Sequence, residues 1–282
     1  MPAIADLHLH TTASDGRLTP RQLVHMAARK GLRVIAVTDH DTTNGLEEAF
    51  QTAALYPSMI LIPGIELSTD IPGSEVHLLG YWINVGNQDF QTTLARFRAG
   101  RERRARQMVE KLAALGLPLE WERIAELAQG AIGRPHIAQA MVEKGYISQP
   151  QEAFQAYLGR NGPAYVEREK MTPVEAIQLV KSVGGIPVLA HPREVGNLDH
   201  ILPSLVDGGL MGMEVYYKDY PAHQVAELRQ RARGLKLLAL GGTDYHAVGT
   251  PDETEPGTAG PPLEEVQRLL ALGPKHSSTS SG

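Results

Sequence analysis

Six short segments of this 282-residue chain end or flank an apolar run with imidazole and carboxylate groups. In chain order they are Asp6-Leu7-His8-Leu9-His10, Thr38-Asp39-His40-Asp41, Pro63-Gly64-Ile65-Glu66, Glu75-Val76-His77, Ala190-His191-Pro192 and Thr243-Asp244-Tyr245-His246. Imidazole nitrogens and carboxylate oxygens are the ligands that borderline and hard divalent metals prefer. One such segment carries little information, but six at the ends of predicted strands point to one shared site. The chemistry that suits this set is hydrolysis at several metal ions. The opening segment puts His8 and His10 on one strand face, because side chains alternate with period two. They stand about 7 Å apart along the strand and converge on one ion after a slight twist. By the same count Asp6 shares that face, where it would orient a ligand imidazole.

The elements that must position these residues alternate strand and helix. Strands are predicted at 3–9, 34–37, 59–65, 76–83, 186–190, 212–215 and 236–240. Thr19-Pro20 and Thr172-Pro173 read as N-cap and first helical position of two helices. Further helices are expected near 44–55, 198–206, 222–233 and 262–272. Between residues 87 and 162 the strand signals vanish and helical spacing takes over, around 90–115, 121–128, 134–144 and 151–157. This predicts an α/β fold, a parallel (β/α) barrel or strongly curved sheet of seven strands, with an inserted helical cap. The divisions expected are 1–86 and 163–274 for the barrel, 87–162 for the cap and 275–282 for a disordered, Ser-rich tail. In barrels of this kind the chemistry sits at the C-terminal strand ends, and the candidate ligands fall where their apolar runs stop.

The chain holds no cysteine, which excludes disulfides, thiolate metal sites and cysteine nucleophiles and fits a cytoplasmic, reducing setting. No apolar run approaches the ~20 residues of a membrane span, and the first residues lack a signal-peptide pattern. A net charge of −5 argues against a broadly basic surface that would coat nucleic acid. Three divalent ions would nevertheless add about +6 locally and attract a phosphate.

Other residues divide by context. Asp39 and Asp41 read as loop hydrogen bonders beside His40, and Glu214 is either a buried, hydrogen-bonded carboxylate or a contact to a ligand His or to substrate. His25, His200, His223 and His276 fall in helix or tail contexts and read as structural or solvated. In Gly133-Arg134-Pro135-His136, a predicted helix N-terminus, Arg134 and His136 are candidate phosphate contacts, the alternative being a capping turn. Arg160 is a second candidate clamp. The run Arg101 to Arg106, with Arg104 at its centre, is either a solvated helix face or a reach toward a second phosphate.

Taken together, the D-x-H-x-H opening, Thr38-Asp39-His40, Pro63–Glu66, His77, Ala190-His191-Pro192 and Asp244/His246 resemble the PHP (polymerase and histidinol phosphatase) family of metal-dependent phosphoesterases. The resemblance covers both flanks, about two thirds of the chain, and implies a distorted barrel around a trinuclear centre. It implies that His8, His10, Glu66 and Asp244 hold one metal and that Glu66 bridges to a second, completed by His77 and His191. Asp15, His40 and His246 would hold the third; Asp15 rests on the resemblance, since an Asp-Gly pair in a loop is ordinarily a turn. The ligand set suits Mn²⁺ first, with Fe²⁺, Zn²⁺ or Mg²⁺ as alternatives.

Metals without a side-chain nucleophile imply attack by a metal-bound hydroxide. His191, His246 or a metal water would protonate the leaving group, and Asp244 belongs to the same catalytic cluster. Stand-alone family members with a helical cap are linked to removal of the 3′-phosphate from nucleoside 3′,5′-bisphosphates and to 5′→3′ trimming of short RNA. The expected partner is therefore a nucleotide or short 5′-phosphorylated oligonucleotide; neither a membrane nor an obligatory protein partner is called for. The alternatives are a histidinol-phosphate-type phosphomonoesterase and a non-catalytic, metal-stabilised nucleic-acid-binding or regulatory module.

Overall fold

The computed structural model describes residues 4–71, 74–128, 132–167, 171–218, 220–249 and 253–274. The start of the first predicted strand at Ala3, and the predicted tail 275–282 with His276, lie outside the described residues. The strands are β1 (Ala5–Leu9), β2 (Val34–Val37), β3 (Ile60–Ile71), β4 (Ser74–Tyr81), β5 (Ile186–Leu189), β6 (Gly212–Glu214) and β7 (Leu238–Leu240). They form one sheet in sequence order. The sheet curls until its ends meet: Leu9 bridges to Tyr245 beyond β7, and the His10 amide donates to the Tyr245 carbonyl at 3.0 Å.

The helices are α1 (Pro20–Arg29), α2 (Leu46–Ala53), α3 (Gln88–Ala114), α4 (Trp121–Ala128), α5 (Arg134–Glu143), α6 (Pro150–Ala153), α7 (Pro173–Ser182), α8 (Leu198–Asp207), α9 (Ala222–Gly234) and α10 (Leu263–Leu272). As the Thr-Pro pairs predict, Thr19 and Thr172 cap α1 and α7, each completing a capping box with Gln22 or Glu175. Among the described residues no helix is long and apolar enough to cross a membrane.

The sheet departs from an all-parallel barrel at one strand. β3 and β4 form an antiparallel hairpin with Ser68 opposite His77, and β4 also runs antiparallel to β5. No helix separates β3 from β4, so the chain has no crossover to carry it back to the start of a parallel strand. This corrects the strand-end rule for His77, which lies in the first half of its strand. Running backwards brings that half to the same mouth.

A second departure lies in β1. Asp6 pairs with Ile35 and Leu9 with Val37, three residues against two, so the alternation slips at a bulge. Asp6 therefore does not follow His8 and His10 into the site. Its carboxylate accepts from the Thr243 amide and hydroxyl (3.0 and 2.7 Å) and the Gly257 amide (3.1 Å), tying down the turn that carries Asp244.

Three apolar clusters hold the molecule. One packs α1, α2 and α7–α9 on the outer face of the sheet, and a second joins Leu7, Ala36, Ile62, Leu79 and Val188 with Val266 and Leu269 of α10. The third belongs to the cap, where Met108, Leu112, Ile124, Ile137 and Met141 are buried together. The 27-residue α3 joins two of these: Phe90 and Leu94 enter the barrel's outer core, and Met108 and Leu112 enter that of the cap. One continuous helix thereby holds the cap across the barrel mouth.

Candidate metal centre

His8 and His10 end β1, His40 follows β2, Glu66 lies in β3, His77 in β4, His191 follows β5, and Asp244 and His246 follow β7. All arrive at one end of the barrel. Ligand-type atoms of His8, His10, Glu66 and Asp244 form one group within 4.8 Å of one another. His10, Asp15, His40 and His246 form a second, and His40, Glu66 and His77 a third. His191 joins through Glu66, whose Oε1 lies 3.2 Å from His191 Nε2 and 2.9 Å from His77 Nδ1. The fold thus brings all nine candidate ligands together. His10, His40 and Glu66 each stand in two groups, whereas the resemblance implies sharing by Glu66 alone.

The separations fit metal shells. His8 Nε2 and His10 Nε2 each lie 3.2 Å from Glu66 Oε2, and 3.3 and 3.2 Å from Asp244 Oδ1. Two ligands of one ion, each about 2.1 Å from it, stand about 3.0–3.4 Å apart. Both ring nitrogens of His10, with His40 Nδ1 and Asp15 Oδ1, are buried without a hydrogen-bond partner. Buried polar atoms in that state need a partner, and a divalent cation at the convergence supplies it.

Electrostatics prepare the donors. Burial alone would raise Glu66, yet the His40, His8 and His77 imidazoles hold it well below the usual carboxylate range. Asp15 and Asp244 are likewise held low, against burial, by the imidazoles around them. Burial pushes His40 down to about 3, against the pull of the Glu66 and Asp15 carboxylates.

The ligands are aimed by their neighbours. Glu214, at the end of β6, accepts from His8 Nδ1 at 3.1 Å through both oxygens, leaving Nε2 to face the site. It also accepts the His191 amide at 2.9 Å. Tyr217 Oη and Lys218 Nζ donate to Asp244 Oδ2 at 2.8 and 3.0 Å, so Oδ1 is the oxygen left facing His8 and His10. Against burial, the Asp244 carboxylate raises the Lys218 pKa, and the ammonium stays charged. Asp39 accepts from Thr11 and from Ser14 Oγ, fixing the loop before Asp15. Sequence reasoning left Glu214 open and missed Tyr217 and Lys218. Their signal was position, directly after an apolar strand at the mouth.

Backbone strain marks the same turns. Asp41, His191 and Asp244 adopt positive φ (52°, 26° and 49°), uncommon for residues with a side chain, as do Trp82, Asn197, Lys236 and Ala247 elsewhere. Gly242 permits the close approach of β7's turn to β1: a Cβ there would meet the His8 amide nitrogen at 2.5 Å.

A cavity of about 180 Å³ opens between the mouth and the cap. Asp15, His40 and His77 line one side, and Arg101, Arg104 and Arg134 line the other. Arg101 Nε donates to Asp41 Oδ2 at 2.6 Å, and its Nη2 to Ser68 Oγ. Arg134 Nη2 donates to Glu75 Oε2 at 2.6 Å. Arg104 is 9% exposed; its Nε donates to the Val166 carbonyl at 2.7 Å, while its Nη2 is buried without a hydrogen-bond partner. His136 and Arg160 are not among the residues lining the cavity. His136 Nδ1 accepts the Gly133 amide at 3.0 Å and closes the turn before α5, whereas Arg160 donates to Asp70 at the end of β3.

A curled seven-stranded sheet with a His/Asp/Glu cluster at its mouth defines this chain as a member of the PHP family, to which it belongs. The PHP domain matches residues 6–102. The relatives support the membership over most of the chain. A 5′-3′ exoribonuclease of Haemophilus influenzae is 34% identical, the match covering 86% of this chain and 89% of the relative. A 3′,5′-nucleoside bisphosphate phosphatase of Chromobacterium violaceum is 30% identical over 86% of this chain and 87% of its own. The crystal structure of a candidate metal-dependent phosphoesterase from Bifidobacterium adolescentis superimposes with a TM-score of 0.87. It is 32% identical, with 96% of this chain and 97% of the other covered.

Proposed function

We propose that the protein hydrolyses the 3′-phosphoester of nucleoside 3′,5′-bisphosphates and of short RNA bearing a 5′-phosphate. The observation that carries this reading is a single cavity with two opposed walls, metal-ligand groups on one side and three arginines on the other. A substrate with one phosphate at each end of a nucleoside suits such a cavity, and a simple phosphomonoester leaves the arginine wall no phosphate to bind.

In this reading His8, His10, Asp15, His40, Glu66, His77, His191, Asp244 and His246 hold three divalent ions, Mn²⁺ by preference. Bound ions would lower the pKa of an attacking water and stabilise charge on the phosphoryl oxygens. The protein's own groups do the rest. Glu214 and the Tyr217–Lys218 pair hold His8 and Asp244 in one orientation. Arg104 and Arg134 bind the 5′-phosphate, helped by the N-terminal end of α5, whose Gly133 and Arg134 line the cavity. Burial, and then the Arg134 charge, lower the Arg104 pKa, so a bound dianion relieves both the burial and the crowding of like charge. His136 supports that end through the Gly133 amide, and Arg160 holds the Asp70 end of β3. The proton for the leaving oxygen is held by His191 or His246. His191 Nδ1 lies 3.3 Å from the exposed Glu194 carboxylate, a route to solvent.

The test is phosphate release with Mn²⁺ from adenosine 3′,5′-bisphosphate, 5′-AMP and histidinol phosphate, with a chelator control. Strong preference for the bisphosphate supports the reading. Preference for histidinol phosphate keeps the metal centre and overturns the role of the arginine wall.

A further inference from the structure

α3 carries two faces that meet at one residue. Arg101, Arg104, Ala105 and Met108 repeat at helical spacing and line the cavity described above. Arg96, Gly100, Arg103, Arg104 and Gln107 repeat at the same spacing on the adjoining face and line a second cavity, also about 180 Å³. Arg104 belongs to both walls.

We propose that this second cavity is a phosphate subsite, reached past Arg104 by a substrate that carries a further phosphate beyond the one held in the first cavity. The inference rests on the function proposed above. Three arginines face one carboxylate, Glu167, across the second cavity. Arg96 and Arg103 are exposed and form no ion pair among the described residues, Arg96 lying over the Phe97 ring at 5.2 Å. Arg104 links the two cavities. Its guanidinium is held by the Val166 carbonyl and lies over the Tyr165 ring, yet Nη2 remains buried and unpartnered. A buried cationic N–H with no acceptor is unfavourable unless an anion completes it. Gly100, a poor residue for a helix interior, leaves this face open: the nearest atom to a Cβ there would be Arg103 Nη2 at 3.9 Å.

The further phosphate is that of a 5′-polyphosphate, because a longer strand continues from the 3′ side, at the metal-ligand cluster, and not past the 5′-phosphate. Steady-state kinetics test this, using adenosine 3′,5′-bisphosphate, its 5′-triphosphate analogue and 5′-monophosphorylated RNAs of two and five nucleotides. The double variant Arg96→Ala/Arg103→Ala is expected to turn over the bisphosphate within about twofold of wild type. It should raise KM about tenfold for the triphosphate, the scale of one lost charge-assisted contact, and leave that for the RNAs unchanged. Gly100→Leu, which fills the cavity without removing charge, should select against the same substrate. Unchanged KM for the triphosphate, with the bisphosphate still hydrolysed, overturns the proposal. So does equal loss on all substrates, which would mark a structural effect. Absence of bisphosphate hydrolysis by the wild type is a different result, and sinks the underlying reading as well.

Discussion

The two walls of the catalytic cavity are built on different physics. On the barrel side, short imidazole and carboxylate side chains stand at the mouth, and three of them have a neighbour that leaves one atom free to face the centre. Glu214 takes His8 Nδ1, Tyr217 and Lys218 take Asp244 Oδ2, and the Asp244 carbonyl lies 2.9 Å from His246 Nδ1. On the cap side, long arginines reach from helices and rest on carboxylates, Arg101 on Asp41 and Arg134 on Glu75. The first wall is preorganised through backbone and buried hydrogen bonds, and the second through flexible side chains that a phosphate can recruit. In the proposed reading, chemistry that needs fixed geometry sits on the sheet and substrate choice on the cap.

That contrast breaks most sharply at a ligand. Asp244→Ala should lower kcat by more than about a thousandfold and reduce bound metal in elemental analysis, while circular dichroism stays native. Wild-type-like turnover in metal-controlled buffer would remove Asp244 from the centre. Glu214→Gln probes the support beneath the same wall. Loss of the charge, and of one of the two oxygens that face His8 Nδ1, should weaken metal affinity about 10- to 100-fold, read by metal titration of activity. A purely packing role would change the unfolding midpoint instead and leave the titration unmoved.

The cap wall should answer more gently and in a different parameter. Arg134→Ala is expected to raise KM for adenosine 3′,5′-bisphosphate about tenfold at little change in kcat. Adenosine 3′-monophosphate, which lacks the 5′-phosphate, should be hydrolysed equally by variant and wild type; an equal fall on both would deny the arginine its anchoring role. The smallest effect belongs to Tyr217→Phe. It deletes one of two donors on Asp244 Oδ2 and leaves Lys218 in place, for a loss of about 1 kcal/mol, or roughly fivefold in kcat/KM. A drop as large as that of Asp244→Ala would mean that the phenol touches substrate.

Much of the barrel side was legible in the chain because its signals are local. Period-two alternation, Thr-Pro caps and polar residues closing apolar runs are properties of neighbours in sequence, and they located the strand starts to within a few residues, although β3 runs six residues past its predicted end. The least legible features were relational. Nothing local distinguishes an antiparallel β4 from a parallel one, so His77 seemed to follow the strand-end rule and instead arrives by a reversed strand. The bulge in β1 moves Asp6 away from His8 and His10, although simple counting puts all three on one face. Arg101 read ambiguously because a charge run on a helix says nothing of what the helix lies across. Tyr217 and Lys218 carried no signal beyond their place after β6.

The sequence by itself determined which residues could bind metal, that most of them fall at the strand ends of an α/β barrel, and that a helical segment interrupts it. Those conclusions rest on side-chain chemistry and on backbone periods of 2 and 3.6 residues, which act over a few positions. Tertiary structure decided how donors are shared, with His10 and His40 each between two groups, and which oxygen of Asp244 faces inward. It also decided which arginines face the metal-ligand cluster across a cavity. Such choices depend on contacts between segments up to two hundred residues apart, as His8 to Glu214 is, and only packing of the whole chain brings them together.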